Sequence, residues 1–309
     1  MDARTAHAWA IWVARGLLGL MFIFSGANKA FGLGVAGYGQ ELAASPYLAA
    51  VSPLAPWIAR AAPWVELPLG ILLLLGLWTR ATVIALGGIV LLVAGAHSLT
   101  GLTVGGFGPT AMWAPFVNAY VLPRATLVVF LLLTPAAADG YSMDHLLSRR
   151  AVLSDEDARA CGIFTVRTLL GLVFLTAGLN KVFLLGPLEH ARSYFVEPYT
   201  ATFLPVWGLW VSGTVIPILE LAAGALVLVG LWRGPAMLVL GGILVFVMFG
   251  HLVADPMFVA TDAILPRTGL LIALLLLPAA ADRYSVDVAR RSHRIREREA
   301  ARADSRRLG

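Results

Sequence analysis

Residues 19–31 read GLMFIFSGANKAF, and residues 171–183 read GLVFLTAGLNKVF. Each segment is almost wholly apolar and carries an Asn-Lys pair near its end, and the two pairs lie 152 positions apart. An apolar run of about 17–25 residues can cross a hydrocarbon layer roughly 30 Å thick. Because the second segment lies in mid-chain, where no signal peptide can act, the pair predicts two matching transmembrane helices rather than a secretory signal.

The composition is that of a polytopic membrane protein. Of the 309 residues, 59% are hydrophobic and only 13% are charged, whereas a soluble domain is usually about a quarter charged. The single cysteine, Cys161, excludes an intrachain disulfide and a dithiol redox pair within this chain. Eight apolar runs have the length of a membrane span: 9–28, 62–79, 81–99, 121–138, 163–182, 214–232, 234–253 and 265–281. We therefore predict an all-α membrane protein with eight transmembrane helices.

The chain also repeats itself beyond the opening segments. Arg15 and Lys29 match Arg167 and Lys181 at an offset of 152, Glu66 and His97 match Glu220 and His251 at 154, and Arg124 matches Arg267 at 143. Constant offsets within each block indicate an internal duplication. Each copy carries four spans, an even number, so both copies have the same orientation.

The repeat predicts a simple domain organisation. Two parallel four-helix-bundle units span 1–144 and 161–287, a linker spans 145–160, and a basic tail spans 288–309. Most Lys and Arg fall on one side of the predicted spans, which by the positive-inside rule places the linker, the tail and both termini in the cytoplasm. Residues 38–61 and 188–213 are rich in aromatics and prolines, and we expect short interfacial helices there on the outer side.

Four ionisable residues of each unit lie at nearly one depth. A helix rises about 1.5 Å per residue, so counting from the inner boundary places each of them about 20–27 Å into the layer. The first set is Lys29, Glu66, His97 and Arg124, and the second is Lys181, Glu220, His251 and Arg267. An unpaired charge at this depth costs at least about 2.5–3.5 kcal/mol. The two cations of each unit therefore need a partner, and the glutamate is the nearest candidate.

Two interpretations of these clusters stay open. In the first, they are buried polar networks that set helix register and bind nothing. In the second, they line an outward-facing pocket that holds a ligand and moves protons. The ligand-binding residues are then Asn28, Lys29, Arg124, Asn180, Lys181 and Arg267, and the catalytic residues are Glu66, His97, Glu220 and His251. Two cations against one carboxylate suit an anion or the carbonyl oxygens of a quinone, and histidine exchanges protons near neutral pH. A metal site is disfavoured, since the cations repel a metal and no His or Cys pair has ligand spacing.

The ordered motifs resemble the DoxX/DoxD-like family of small bacterial membrane proteins. They are R-x-x-x-G-x-x-F-x-x-x-G-x-x-K in span one, Glu before Gly in span two, G-L-W-x-R between spans two and three, His at the end of span three, and D-x-Y-S-x-D after span four. The resemblance covers 9–144 and again 161–287, although single-unit members are the common form. It implies a location in the bacterial inner membrane. One branch of the family resembles the membrane subunit of a thiosulfate:quinone oxidoreductase, and other members are linked to sulfur or oxidative-stress assemblies.

The leading hypothesis follows from the clusters and the resemblance together. It is an integral membrane subunit of a quinone-linked oxidoreductase, or of a redox-stress or sulfur-related assembly, that binds quinone or a small anion and meets a soluble redox partner. The alternative is a non-enzymatic carrier or assembly protein whose clusters are structural. The sequence leaves open whether the chain is an enzyme and whether it forms a homo-oligomer, and nothing in it indicates binding to nucleic acid.

Overall fold

The computed structural model describes residues 2–103, 116–255 and 264–308, with side chains described as far as residue 299. In this part of the chain the regular structure is helical throughout. The α-helices are α1 (Ala3–Ala27), α2 (Gly34–Ala44), α3 (Ala55–Leu75), α4 (Thr79–Thr103), α5 (Leu122–Leu133), α6 (Met143–Leu146), α7 (Asp155–Leu179), α8 (Pro187–Ala191), α9 (Glu197–Tyr199), α10 (Val206–Val229), α11 (Arg233–Ala254), α12 (Leu265–Leu276) and α13 (Val286–Leu308). Residues 155–160 of the predicted linker therefore already belong to α7.

Six helices of the described chain are long and apolar enough to cross a membrane. They are Ala3–Gly32, Ala49–Leu75, Thr79–Thr103, Asp155–Leu185, Val206–Val229 and Arg233–Ala254. The other two predicted spans, 121–138 and 265–281, correspond to the shorter apolar helices Val117–Leu133 and Leu265–Leu276. Both end earlier than predicted because Thr134 and Leu277 are extended and each precedes a proline, which disfavours the α conformation. Residues 104–115 and 256–263, which come shortly before the two short helices, lie outside the described ranges.

Four spans begin at least six residues earlier than the sequence predicted, and two of them carry the glutamates. The helix that contains Glu66 starts at Ala55 rather than near residue 62 and continues through Pro63 and Pro68. Prolines are tolerated inside membrane helices because neighbouring groups satisfy the freed backbone carbonyls. The matching helix in the second half starts at Val206 rather than near residue 214. The predicted interfacial regions are therefore shorter, and α2, α8 and α9 are the short helices within them.

The helices pack in two tight pairs, α1 against α3 and α7 against α10. Gly178 shows how close the second pair comes, since a Cβ at this position would lie 2.5 Å from the backbone nitrogen of Leu221. Small residues let two helix backbones approach in this way. Helix α7 also contacts α4 and α5, and one buried apolar cluster runs from Ile11 to Leu274. The two halves of the chain therefore share a core.

Buried arginines gather at one end of the bundle, which we call the arginine end and define by Arg15, Arg167 and Arg233. The guanidinium of Arg15 lies 3.4 Å from the carboxylate of Asp139. In the second half, Asp282 lies 3.2 Å from Arg167 and 3.5 Å from Arg233. These ion pairs attach the segments that follow α5 and α12 to the long helices. The Lys–Glu pairs described next lie toward the opposite end.

Candidate functional site

Both Asn-Lys pairs stand at a change in helix geometry. Helix α1 continues without a break into a π-helical turn at Asn28–Gly32, and α7 continues into another at Asn180–Leu185. Each π turn thus starts on the repeated Asn-Lys pair. Such turns inside α-helices occur frequently at functional sites. The repeat in the sequence is matched here by a repeat in local structure.

The first cluster contains a closed ion pair between α1 and α3. The Nζ atom of Lys29 lies 2.6 Å from both carboxylate oxygens of Glu66, and the hydroxyl of Ser25 donates a hydrogen bond of 2.8 Å to the same carboxylate. The ammonium group also lies 5.1 Å from the centre of the Tyr38 ring. Glu66 is buried. Protein groups therefore surround both charges of this pair.

Arg124 and His97 form a separate, aromatic part of the first cluster. The guanidinium of Arg124 lies 3.8 Å from the centre of the Tyr120 ring and donates to the Tyr120 carbonyl at 2.8 Å. His97 is fully buried, its Nδ1 atom lies 2.8 Å from the carbonyl oxygen of Tyr47, and its ring contacts Phe116. The Tyr47, Phe116 and Tyr120 rings stack in series. The four residues that the sequence placed at one depth thus form two neighbouring groups.

The second cluster repeats the ion pair in a more open form. Lys181 Nζ lies 2.6 Å from one oxygen of Glu220, and the Lys181 side chain is 29% exposed, compared with 13% for Lys29. Ala177 stands at the position that matches Ser25 and has no hydroxyl to donate. Arg267 is partly buried and interacts electrostatically with Glu220.

Two histidines complete the second cluster. The Tyr199 hydroxyl lies 3.0 Å from Nδ1 of His251. Nδ1 of His190 lies 2.7 Å from the carbonyl oxygen of Gly213, and because a carbonyl only accepts, this nitrogen carries the proton. Burial, assisted by the charge of Lys181, lowers the pKa of His190 from 6.5 to about 4. His190 is therefore neutral at neutral pH, with its second ring nitrogen available as an acceptor.

A cavity of about 540 Å³ brings the second cluster together. All five residues predicted for the second unit line it, namely Asn180, Lys181, Glu220, His251 and Arg267. The remaining walls are mostly aliphatic and aromatic side chains of α10 and α11. Ligand sites in proteins are typically concave, mostly apolar and about 300–1,000 Å³ in volume, with a few polar groups that orient the ligand. The second cluster has this form.

Sequence reasoning missed His190 as a cavity residue and interpreted Tyr199 only as an aromatic at the lipid–water boundary. Both line the cavity. A signal was present, since the offset of 152 continues past the Asn-Lys pair. It aligns Tyr38 with His190 and Tyr47 with Tyr199. Extending the repeat into the segment between the first two spans would have found both residues.

The described residues contain no group of three or more His, Cys, Asp or Glu side chains placed to hold a metal ion. Cys161 is a free cysteine near the start of α7, at the other end of this helix from Lys181. The polar chemistry of the cavity thus rests on ammonium, guanidinium, imidazole, phenol, amide and carboxylate groups.

Fold and site together define a multi-pass helical membrane protein with a mainly apolar cavity between its helices that holds a few charged and polar groups. The sequence model of the DoxX family matches residues 10–100 of the chain. The match contains Lys29, Glu66 and His97, and it confirms the family resemblance for this region. No curated protein and no solved structure matches the chain.

Proposed function

We propose that this protein is the integral membrane subunit of a quinone-linked oxidoreductase, or of a redox-stress or sulfur-related assembly, and that it binds quinone or a small anion in the cavity of the second cluster. One observation carries the proposal: a mainly apolar cavity of about 540 Å³ in which two cations, a carboxylate and two histidines converge. A soluble redox partner completes the assembly, and the protein's location is the bacterial inner membrane.

The cavity residues suit an electron-rich oxygen ligand. Lys181 and Arg267 donate hydrogen bonds to a carbonyl or an anionic oxygen, and their charges stabilise negative charge that develops there, an effect that is strong once a bound ligand has displaced water from the site. A quinone, when bound, supplies two-electron, two-proton redox chemistry. His251, oriented by the Tyr199 hydroxyl, exchanges a proton with the ligand. Glu220 holds Lys181 in place and relays the proton.

We further propose that the chain is a tandem duplication with eight spans and both termini in the cytoplasm. The repeated contacts support this. Each half has a Lys–Glu pair with a 2.6 Å contact next to a π turn, and each has an arginine of its first long helix bonded to a buried aspartate. Two units from one ancestor account for both features.

The proposal is tested by binding of decylubiquinone to the purified full-length protein in lipid nanodiscs. Replacing Lys181 by Met removes a charge-assisted hydrogen bond, worth about 1.5–3 kcal/mol, and we expect the affinity to fall about 10- to 150-fold. Lys29→Met is the matched control and leaves the affinity unchanged. The proposal fails if neither decylubiquinone nor sulfate binds the wild-type protein, or if Lys181→Met binds as tightly as the wild type.

A carrier or assembly protein is the second candidate, and the first cluster favours it. Lys29 and Glu66 neutralise each other beneath the Tyr38 ring. This ion pair therefore suits a structural role, in which it joins α1 to α3. Proteoliposomes separate the two classes, because a carrier moves a solute across the bilayer without any electron acceptor. Copurification of a redox protein from native membranes supports the oxidoreductase subunit instead.

A further inference from the structure

The cavity of the second cluster has a polar inner end and an apolar rim. Glu220 and Tyr199 at the inner end are buried. The rim includes Trp207 and Val211 of α10 and Phe246 and Phe249 of α11, which line the cavity and are nevertheless 46–73% exposed. Within the described residues, the cavity therefore opens between α10 and α11 through apolar side chains.

The depth of this rim decides what it faces. Phe246 lies 13 residues after Arg233, or about 20 Å from the arginine end, and Phe249 lies 16 residues after it, about 24 Å. Val211 lies 18 residues before Val229, about 27 Å. A hydrocarbon layer is about 30 Å thick, so Val211, Phe246 and Phe249 lie within its outer half. An opening at that depth, lined by Val and Phe, leads to acyl chains rather than to water.

Aromatic side chains occupy part of the first cluster. Tyr120 lies against Arg124 there, and Phe116 stacks on Tyr120. At the matching offset of 143, the second copy has Val259 and Ala263 in the sequence, and both lie outside the described residues. Two large aromatic side chains are thus exchanged for small ones in the half that has the cavity.

From this geometry we infer that the ligand of the second cluster is a lipid-soluble amphiphile that enters sideways from the membrane. Its oxygen-bearing head group binds at Lys181 and Arg267, and its apolar tail passes between α10 and α11 into the acyl chains. The first cluster binds no ligand. The inference rests on the proposed function and narrows its ligand from quinone or small anion to the lipid-soluble class.

The test uses the full-length protein in nanodiscs and a decylubiquinone analogue with a diazirine at the end of its alkyl tail. After illumination, mass spectrometry maps the labelled peptides. We expect saturable labelling on both sides of the opening, in residues 206–216 and 243–251, and we expect excess unlabelled decylubiquinone to remove it. Lys181→Met lowers this labelling at least about tenfold, in line with the loss of one charge-assisted hydrogen bond.

A bulky residue in the opening provides the matched pair of variants. Val211→Trp fills the rim, and we expect saturable labelling to fall at least about fivefold. Val215→Trp places the same side chain one turn further along α10, at a position that is also exposed but does not line the cavity, and it leaves the labelling unchanged. Equal loss in both variants, or none in either, overturns the sideways route.

The remaining outcomes separate the two proposals. If decylubiquinone binds in a Lys181-dependent way but labels only the segment between α7 and α10, the ligand arrives from the aqueous side and only the further inference fails. The same holds if sulfate binds in a Lys181-dependent way while the quinone analogue gives no saturable labelling. If neither probe binds, the proposed function fails as well.

Discussion

The Lys29–Glu66 pair provides a direct measure of how the charged clusters differ. The buried Glu66 carboxylate receives two contacts of 2.6 Å from the Lys29 ammonium and one hydrogen bond of 2.8 Å from Ser25. Lys29→Met keeps an unbranched side chain and removes the charge. Of the donors to the Glu66 carboxylate named here, only the Ser25 hydroxyl then remains. Breaking a buried ion pair costs about 3–5 kcal/mol. Since the Lys29 side chain is 13% exposed, we expect a loss of about 3 kcal/mol in the free energy of unfolding.

The same substitution in the second half supplies the comparison. Lys181 is more exposed than Lys29, and Glu220 borders a cavity that can hold water around the carboxylate. A partly hydrated charge loses less when its partner is removed, so we expect Lys181→Met to cost about 1–2 kcal/mol. The two variants should therefore differ by about 1–2 kcal/mol, with the first cluster the more sensitive.

The assay is reversible unfolding in mixed micelles with increasing sodium dodecyl sulfate, followed by circular dichroism. Adding Glu66→Gln to Lys29→Met removes the unpaired charge, and this double variant should recover at least half of the lost stability, because replacing a buried ion pair by neutral groups is often nearly neutral. Equal destabilisation by Lys181→Met and Lys29→Met, or no recovery of stability on adding Glu66→Gln, would contradict this account of the two ion pairs.

Three further predictions concern packing, pH and the arginine end. Gly178→Ala forces a Cβ against the backbone of α10 and should cost about 1–3 kcal/mol of unfolding free energy, whereas Gly16→Ala, with no atom within 4 Å, should cost nothing measurable. The folded-state pKa of His190 is about 4. The contribution of this histidine to the free energy of unfolding should therefore be full above pH 6.5 and fall by up to about 3 kcal/mol as the pH drops from 6.5 to 4. In His190→Gln, the free energy of unfolding should depend less steeply on pH across this range. Asp282→Asn leaves two buried arginines without their carboxylate and should cost about 3–5 kcal/mol, while Arg283→Gln breaks only exposed ion pairs and should cost less than about 1 kcal/mol in the same denaturation assay.

The ends of the helices show which structural features can be predicted from the sequence and which cannot. Apolar runs predicted the six long helices because crossing a hydrocarbon layer requires length and composition, and both can be read along the chain. The effect of the prolines on the helix ends was not predicted correctly. Pro63 and Pro68 lie inside α3 without ending it, whereas Thr134 ends its helix because a proline follows it directly. Whether a proline interrupts a helix depends on the neighbours that satisfy the backbone carbonyls, which the local sequence does not specify.

The charged clusters also show what residue spacing can predict and what it cannot. Counting residues placed Lys29, Glu66, His97 and Arg124 at one depth, and the structure brings the first two into contact. Depth alone carried no information on lateral distance. Arg124 lies on an aromatic ring, and His97 packs among aromatic side chains. The rotation of each helix about its axis, set by packing with its neighbours, decides which residues of one layer meet.

Composition and apolar spacing were enough to predict the class of the protein, its six long apolar helices and the residues that carry charge into the apolar layer. Hydropathy, helical rise and spacing are properties of the chain taken one segment at a time, and these features depend on nothing more. The packed helices are what make the pair at Lys29 closed and place the pair at Lys181 beside a cavity. A cavity is the volume left by side chains of several helices at once, so its existence depends on how those helices pack together.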